Sequence, residues 1–456
     1  RTTGASLLPA LPLTLEKIAT IEDSSVILLA DDRLRPIERD GVLFAVADKT
    51  MQFWPVDKLV AHAHDYEPRS IDIGNMASAA RTARSNMNYP WAAGLSEDGS
   101  LLWLASAAEA VGVDIDEAKV VHRVTMQSLG LNNAAEVAMG EGVMIAMDSR
   151  GMIATMSLAD GSRGWPSRIA VDHAREAMQS RFTLDAGCAV LLTNRHCDLH
   201  VFDIKSGKVI FSEQANVVAG AQFTPDDKLV VTVDDEITLR EPKPEAIQTP
   251  LAGRVLETED AAILLDVGTH YAVVALSRDG SQLRAIRLAD LADGSGVSIR
   301  SQPLPSGGEG HPFAAMVDGQ SIYVLSSKRP SMPRTLQNAT ARLDGGFGIA
   351  RFKMPIGEQK WSRFVETNVD ASCRVLPRNT TGQILVGLRA TNPEKPGGWV
   401  LLEKANRNKP VRIDVASRSR RNRKAVLRQR QIGAAAIVDG RLIIETPTGL
   451  AIYGEK

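Results

Sequence analysis

Val201-Phe202-Asp203-Ile204-Lys205-Ser206-Gly207-Lys208-Val209-Ile210-Phe211-Ser212 is the stretch that decides the fold. Val201, Phe202 and Ile204 are β-formers, Ser206-Gly207 is a turn, and Val209, Ile210 and Phe211 restart the apolar run. The pattern predicts a strand, a tight turn and a second strand. Just before it, Cys188–Thr193 reads as another strand, closed by the polar turn Asn194-Arg195-His196. Together they form an antiparallel meander of short strands.

Weaker copies of this unit run along the chain. Hairpins are expected for Val42–Ala47 with Thr50–Pro55, Leu101–Ser106 with Val111–Ile115, and Val143–Asp148 with Met152–Leu158. They recur at Leu229–Val233 with Ile237–Arg240, and at Ala262–Asp266 with Tyr271–Ser277 and Leu283–Leu288. The last third adds Ser321–Ser326 with Phe347–Lys353, Gln383–Leu388 with Gly398–Glu403, and Arg441–Glu445 with Leu450–Tyr453. Turn dipeptides such as Asp98-Gly99, Asp160-Gly161 and Asp439-Gly440 punctuate them. These hairpins, about nine, recur at blade-like intervals of roughly 35–65 residues.

A barrel or sandwich needs fewer strands, and two separate β domains need a linker that the sequence does not show. The expectation is an all-β chain forming a single β-propeller of about eight blades, seven to nine being compatible with the spacing, each a four-stranded antiparallel meander. One hairpin was discounted on the ground that a blade can be split between the termini. The hairpin Asp439–Gly454 would pair with an N-terminal strand and so remove an exposed sheet edge. Residues 1–24 read as an extended lead-in and 25–456 as the propeller, with Ser25–Ala30 its first strand. An irregular insertion at 62–88 carries one short helix around the alanines of 77–83, and a basic loop lies at 417–430.

The Trp-Asp dipeptide and the Gly-His signature of WD40 repeats are absent. Phe202-Asp203-Ile204-Lys205-Ser206-Gly207-Lys208-Val209-Ile210-Phe211 instead resembles the quinoprotein-type (PQQ-like) β-propeller repeat. That repeat ends a strand on Asp, turns on Thr/Ser-Gly-Lys and follows with an aromatic. Leu158-Ala159-Asp160-Gly161-Ser162-Arg163-Gly164-Trp165 is similar in outline, and the ending Val438–Leu450 resembles terminal hairpins of bacterial members of the group. The resemblance implies two kinds of relative. Quinone-dependent dehydrogenases hold their cofactor in the funnel beside a Ca²⁺, with a catalytic Asp and, in many, a disulfide between adjacent cysteines. Here Cys188, Cys197 and Cys373 are far apart and no matching Asp/Asn/Glu set is found. The resemblance therefore implies the non-enzymatic members, which act as scaffolds, and neither a catalytic residue nor a cofactor is expected.

Composition bounds the alternatives. Of the 456 residues 44% are hydrophobic and 23% charged, so a sizeable core can be buried. Aromatics are only 5%, so Val, Ile, Leu and Ala must fill the strand faces. The net charge is −1, which gives no overall field toward nucleic acid or a membrane surface. Three dispersed cysteines make no disulfide framework. No apolar run reaches the roughly 20 residues of a membrane span. The chain begins at Arg1, which reads as a processed or partial product. A bacterial periplasm or cell envelope and a cytoplasm both suit this cysteine usage, the former being preferred.

Arg195-His196-Cys197-Asp198-Leu199-His200 is the densest group of potential metal ligands. In an extended strand His196 and His200 share a face while Cys197 points away, and no fourth ligand lies nearby, so a polar turn is the better reading. The same holds for His62-Ala63-His64-Asp65. Phosphate loops, nucleophile elbows and His-Glu-x-x-His helices are missing. Paired carboxylates at Asp31-Asp32, Asp226-Asp227 and Asp234-Asp235-Glu236 sit where turns favour Asp. The sequons Asn338-Ala339-Thr340 and Asn379-Thr380-Thr381 matter only in a glycosylating pathway.

Ser417–Arg430 is the stretch least explained by folding, with Arg418, Arg420, Arg421, Arg423, Lys424, Arg428 and Arg430 and no acid. Such a segment can grip an acidic protein surface or an anionic polymer. The competing reading is a solvated loop between blades. Interleaved aromatics are missing, which disfavours nucleic acid. The expected function is a non-catalytic propeller serving as a protein-interaction platform or subunit of an assembly, with other protein subunits as partners; the alternative is a quinone-dependent dehydrogenase or a loop-built hydrolase. Exposed ion pairs contribute only about 0–1 kcal/mol each, so several must act together. Replacing Arg420, Arg421, Arg423 and Lys424 by Ser is expected to leave the melting midpoint unchanged and to weaken partner association, most at low salt. Pull-downs at low and moderate salt check this, and unchanged association at both would make the segment a solvated loop.

Overall fold

The computed structural model describes residues 15–23, 25–30, 35–61, 66–85, 89–171, 181–193, 198–258, 262–276, 282–292, 296–300, 303–304, 308–327, 329–331, 340–380, 382–390, 397–405, 409–414, 433–438, 440–446 and 449–454. They form an all-β propeller of nine blades, each a four-stranded antiparallel sheet. Nine is the top of the range the spacing allowed, and every expected hairpin is the middle of one blade. The hairpin discounted at the terminus is a blade of its own, because the N-terminus adds a single strand to it rather than a second hairpin.

Blade 1 holds Ile27–Leu28, Val42–Ala47, Thr50–Pro55 and Arg69–Asp72. Blade 2 holds Trp91–Leu95, Leu101–Ser106, Glu109–Asp114 and Lys119–Thr125. Blade 3 holds Ala134–Gly140, Val143–Asp148, Met152–Ser157 and Ile169–Ala170. Blade 4 holds Arg181–Asp185, Cys188–Leu192, Asp198–Asp203 and Val209–Gln214. Blade 5 is Ala219–Phe223, Leu229–Val233, Glu236–Arg240 and Ala252–Val255, and blade 6 is Ile263–Val267, Tyr271–Ala275, Gln282–Arg287 and Gly296–Arg300. The first strands of blades 2 to 4 touch in succession, as do those of blades 5 to 8, so the first strands line the axis side and the fourth strands form the rim.

Blades 7 and 8 share one continuous sheet. His311–Asp318, Ser321–Ser327 and Thr340–Lys353 are completed by the first part of the long strand Glu358–Asn379. The last part of that strand starts blade 8, pairing with Gln383–Ala390, followed by Gly398–Glu403 and Val411–Asp414. Blade 9 takes Ala435–Val438, Arg441–Thr446 and Gly449–Gly454 from the C-terminal end and Glu16–Ile21 from the N-terminal end, Glu16 opposite Gly454 and Ile21 opposite Leu450. This is the closure expected of the terminal hairpin.

Helix is confined, among the described residues, to Val56–Ala61, Asn75–Ser85 and a short 3-10 turn at Leu288–Asp290. The first of these precedes the segment in which helix was expected. The second lies inside it, and its small residues Ala77 and Ala80 pack with Met76 between blades 1 and 2.

The core is divided. Each of nine apolar clusters lies between two neighbouring blades, and together they run round the ring without a break. In blade 4, Cys188, Val190 and Leu192 face blade 5, while Ala189 and Leu191 face blade 3. A central strand is therefore buried on both sides, which is why it reads as a continuous apolar run rather than an alternating one.

Tryptophans tie neighbouring blades together. Trp103 of blade 2 donates its indole N–H to the Leu158 carbonyl of blade 3 at 2.7 Å, and Trp165 donates to the Ile204 carbonyl of blade 4 at 2.6 Å. Each ring lies on a turn glycine three residues further on: a Cβ at Gly161 would meet Trp103 at 2.9 Å, and one at Gly207 would meet Trp165 at 2.8 Å. Both glycines have φ +73°, so the turn and the close approach each exclude larger residues. Trp361 and Trp399 likewise donate to carbonyls of the next blade, Lys404 and Gly433.

At the closing seam, the buried Glu445 of blade 9 accepts hydrogen bonds from the backbone N–H groups of Leu28, 3.1 Å, and Ala434, 3.3 Å. Glu445→Ala leaves these buried donors without the carboxylate. Hydrogen bonds to charged groups contribute about 1.5–3 kcal/mol each. Denaturant unfolding is expected to show a loss of about 3 kcal/mol, and an unchanged midpoint would show that the seam is held by its apolar contacts alone.

Candidate functional site

A groove of about 480 Å³ opens between blades 3 and 4 toward the rim, lined by Ala170, Val171, Asp198, His200, Val209, Ser212, Glu213 and Gln214. The lengths of the strands make room for it. The outer strand of blade 3 is only two residues long, whereas that of blade 4 has six. Among the described residues, blade 3 therefore covers less of the blade 4 face there.

The third strand of blade 4 supplies the polar groups. Leu199 and Val201 point to blade 5, and the alternation sends Asp198, His200 and Phe202 toward blade 3. Phe202 packs against Trp165 with ring centroids 6.1 Å apart, and His200 lies above it at 6.3 Å. Asp198 is pinned through its backbone: its N–H donates to Thr193 Oγ1 at 3.0 Å and its carbonyl accepts from the Thr193 N–H at 2.9 Å. Across the ladder, Ser212 stands opposite His200 and holds its Nδ1 at 2.9 Å. A register shift places Phe202 opposite Val209 and Val201 opposite Phe211. Ile210 and Phe211 both turn inward toward blade 5, and Val209 is left 46% exposed.

Two groups in this groove are buried and unmatched: Asp198 Oδ1 and His200 Nε2 have no hydrogen-bond partner. Burial holds the His200 imidazole below its ordinary pKa, against the opposing pull of Asp198. The ring is thus held neutral, able to donate from one nitrogen and accept at the other. The arrangement can bind a polar or cationic group. The described residues contain no cluster of three His, Cys, Asp or Glu side chains fit to hold a metal ion.

The other residues singled out by sequence have different fates. His196, Cys197, His62, His64, Asp31, Asp32 and Asn338 lie outside the described residues, as do Arg420, Arg421, Arg423 and Lys424. His200 was grouped with His196 in the sequence; the structure sets it beside Asp198 and Ser212. Asp198 and His200 share a face by the same two-residue period, so this pair was visible in the sequence. Ser212 and Glu213 carried no such signal, since their place depends on ladder register. Asp226 forms an ion pair with Lys228 at 3.0 Å, and Asp234 accepts from the N–H groups of Asn216, Val217 and Val218, so both serve turns. Asp98 does the same, and hydrogen bonds from Ser96 and Ser100 hold its carboxyl down at about 2. The thiols of Cys188 and Cys373 are free, buried and pushed up to about 12 by desolvation, which suits packing rather than reactivity.

The lowered pKa of His200 fixes the sign of its effect on stability. Below its ordinary value of 6.5 the unfolded chain takes up a proton that the folded chain resists, so the His200 contribution falls as pH drops from 6.5 toward the folded pKa. Melting midpoints of the wild type and His200→Gln across pH 5–8 are expected to converge, or to cross in favour of the variant, only on the acid side. A difference independent of pH would show that His200 is not held neutral.

No family model matches the chain, and no curated protein matches it. Among solved structures it is similar to BamB from Moraxella catarrhalis, with 11% identity over 97% of this chain and 98% of that one, TM-score 0.45. It is also similar to Hsv2 from Kluyveromyces lactis, with 11% identity over 71% and 97%, TM-score 0.43. A third is the dihydro-heme d1 dehydrogenase NirN in complex with DHE, with 14% identity over 90% and 78%, TM-score 0.44. At such identities the likeness is one of fold.

Proposed function

We propose that the chain is a non-catalytic propeller of quinoprotein-type repeats that serves as a protein-interaction platform or structural subunit of a larger assembly. One observation carries this reading. Four large apolar side chains are exposed among the described residues, and three of them, Val209 at 46%, Leu251 at 54% and Val255 at 62%, lie on the rim of blades 4 and 5. The two stretches are tied across the blade boundary by the Gln248 side-chain amide, which donates to the Ile210 carbonyl. Arg240 strengthens the tie: it stacks over Phe211, 4.2 Å from the ring centre, and donates to the carbonyls of Ile247 and Gln248.

Val209–Gln214 and Ala252–Val255 are also edge strands, with no further strand on their outer side among the described residues. An apolar side chain on an open edge invites another chain, which soluble proteins usually prevent with charge or cover with a partner. The segment Ser417–Arg430 is proposed as a second contact, toward an acidic protein surface or an anionic polymer.

Changing Val209, Leu251 and Val255 together to Ser removes apolar surface without adding charge. Being exposed, the three changes are expected to alter stability by no more than about 0.5 kcal/mol each. Association with the protein that co-purifies stoichiometrically with the native chain is expected to weaken by about tenfold or more, since burying one such side chain contributes about 1.5–3 kcal/mol. Undiminished association, or a wild-type chain that purifies from its native source with no stoichiometric partner, would overturn the reading.

A further inference from the structure

The groove between blades 3 and 4 holds a charge that the fold leaves unanswered. Asp198 is only 5% exposed, yet its Oδ1 meets no donor, and no described cation pairs with it. A buried carboxylate without a partner is costly, because desolvation is not offset by attraction. Glu213 borders the groove as well, but it stands opposite Leu199 and so turns its side chain to the blade 5 side. On that side Arg240 lies 3.9 Å from Glu213, while it stacks on Phe211 and donates to the Ile247 and Gln248 carbonyls. With His200 neutral, the ionisable lining is acidic.

We propose that this groove receives a cationic side chain of a protein partner, a guanidinium by preference, with Asp198 as its counter-ion and His200 Nε2 as a second acceptor. This rests on the reading that the rim of blades 4 and 5 docks a protein, and it names the partner's anchor. Asp198 and His200 are two residues apart on one strand face, so their side chains start about 6.6 Å from each other. A guanidinium carries five N–H donors in one plane and can engage a carboxylate along one edge and a further acceptor along another. When Nδ1 bears the ring proton and donates to Ser212 Oγ, Nε2 is left as the acceptor of the ring. Val209 provides apolar surface for the aliphatic stem.

The test titrates the whole chain with Nα-acetyl-arginine methylamide and follows the labelled His200 ring by NMR, assigned with His200→Gln. The citrulline analogue, equal in shape but uncharged, serves as control. The arginine derivative is expected to shift His200 saturably, and the citrulline analogue to bind at least about tenfold more weakly. Asp198→Asn is expected to lose at least about tenfold in affinity while melting no lower than wild type, because an unmatched buried charge has been removed. Should that variant not fold, the comparison of the arginine derivative with its citrulline analogue on the wild type decides alone. No saturable shift, equal binding of citrulline, or full affinity in the variant that folds would overturn the proposal. If the triple Ser variant loses its partner but arginine does not bind, the anchor is wrong and the platform reading stands. If arginine binds while the triple variant keeps its partner, the anchor stands and the rim reading falls.

Discussion

Burial of both faces of every blade is the constraint on which this structure depends. A single four-stranded meander has two apolar faces and cannot hide either alone. Each of the nine clusters is shared by two blades, so a blade is stable only between neighbours, and the row is satisfied only when it closes. Closure falls to the contact between blade 9 and blade 1, where Ile443, Leu450 and Ile452 meet Leu28, Leu43 and Ala45. Glu16–Ile21 completes that blade from the far end of the chain. The two ends of the sequence are thus held together by the same kind of contact as any adjacent pair.

Apolar packing alone would let neighbouring blades slide, and directional contacts fix their register. Trp103 over Gly161 and Trp165 over Gly207 are the same device on two successive boundaries: the indole N–H finds a carbonyl and its ring finds a glycine. The glycine has two reasons to be there, its positive φ in the turn and the space it leaves for the ring. Asp203 keeps the Gly207 turn in shape by accepting the Ser206 N–H at 2.8 Å. Turn chemistry and blade docking are in this way written in the same few residues.

The groove exists where this regular packing is interrupted. Among the described residues the fourth strand of blade 3 ends at Ala170, and the groove lies beside it on the blade 4 face. Deeper in, the same face is filled by Phe202 against Trp165 and Ile145. Along this face the residues turn polar, from Phe202 through His200 to Asp198. The scaffold thereby presents unmatched polar atoms on a rigid strand, which suits recognition better than a mobile loop would.

The hairpins at Val42–Pro55, Val143–Leu158 and Arg441–Tyr453 were legible because their strands are largely apolar and separated by Asp- or Gly-bearing turns; local chemistry and local period were enough. Inner and outer strands such as Trp91–Leu95 and Lys119–Thr125 were not found, since one face meets the axis or solvent and their composition is mixed. Nor did local pattern foretell the long strand Glu358–Asn379, which leaves one blade and starts the next. The alternation that puts Asp198 and His200 on one face was in the sequence, whereas the pairing of His200 with Ser212 came only from the register of a bulged ladder. By itself the sequence determined the β-meander, its repetition and its turns, because these are set by residues a few positions apart. Only the tertiary structure decided the ninth blade, the choice of Glu16–Ile21 as the closing strand and the groove, because each depends on which distant strand lies alongside and on how far that strand extends.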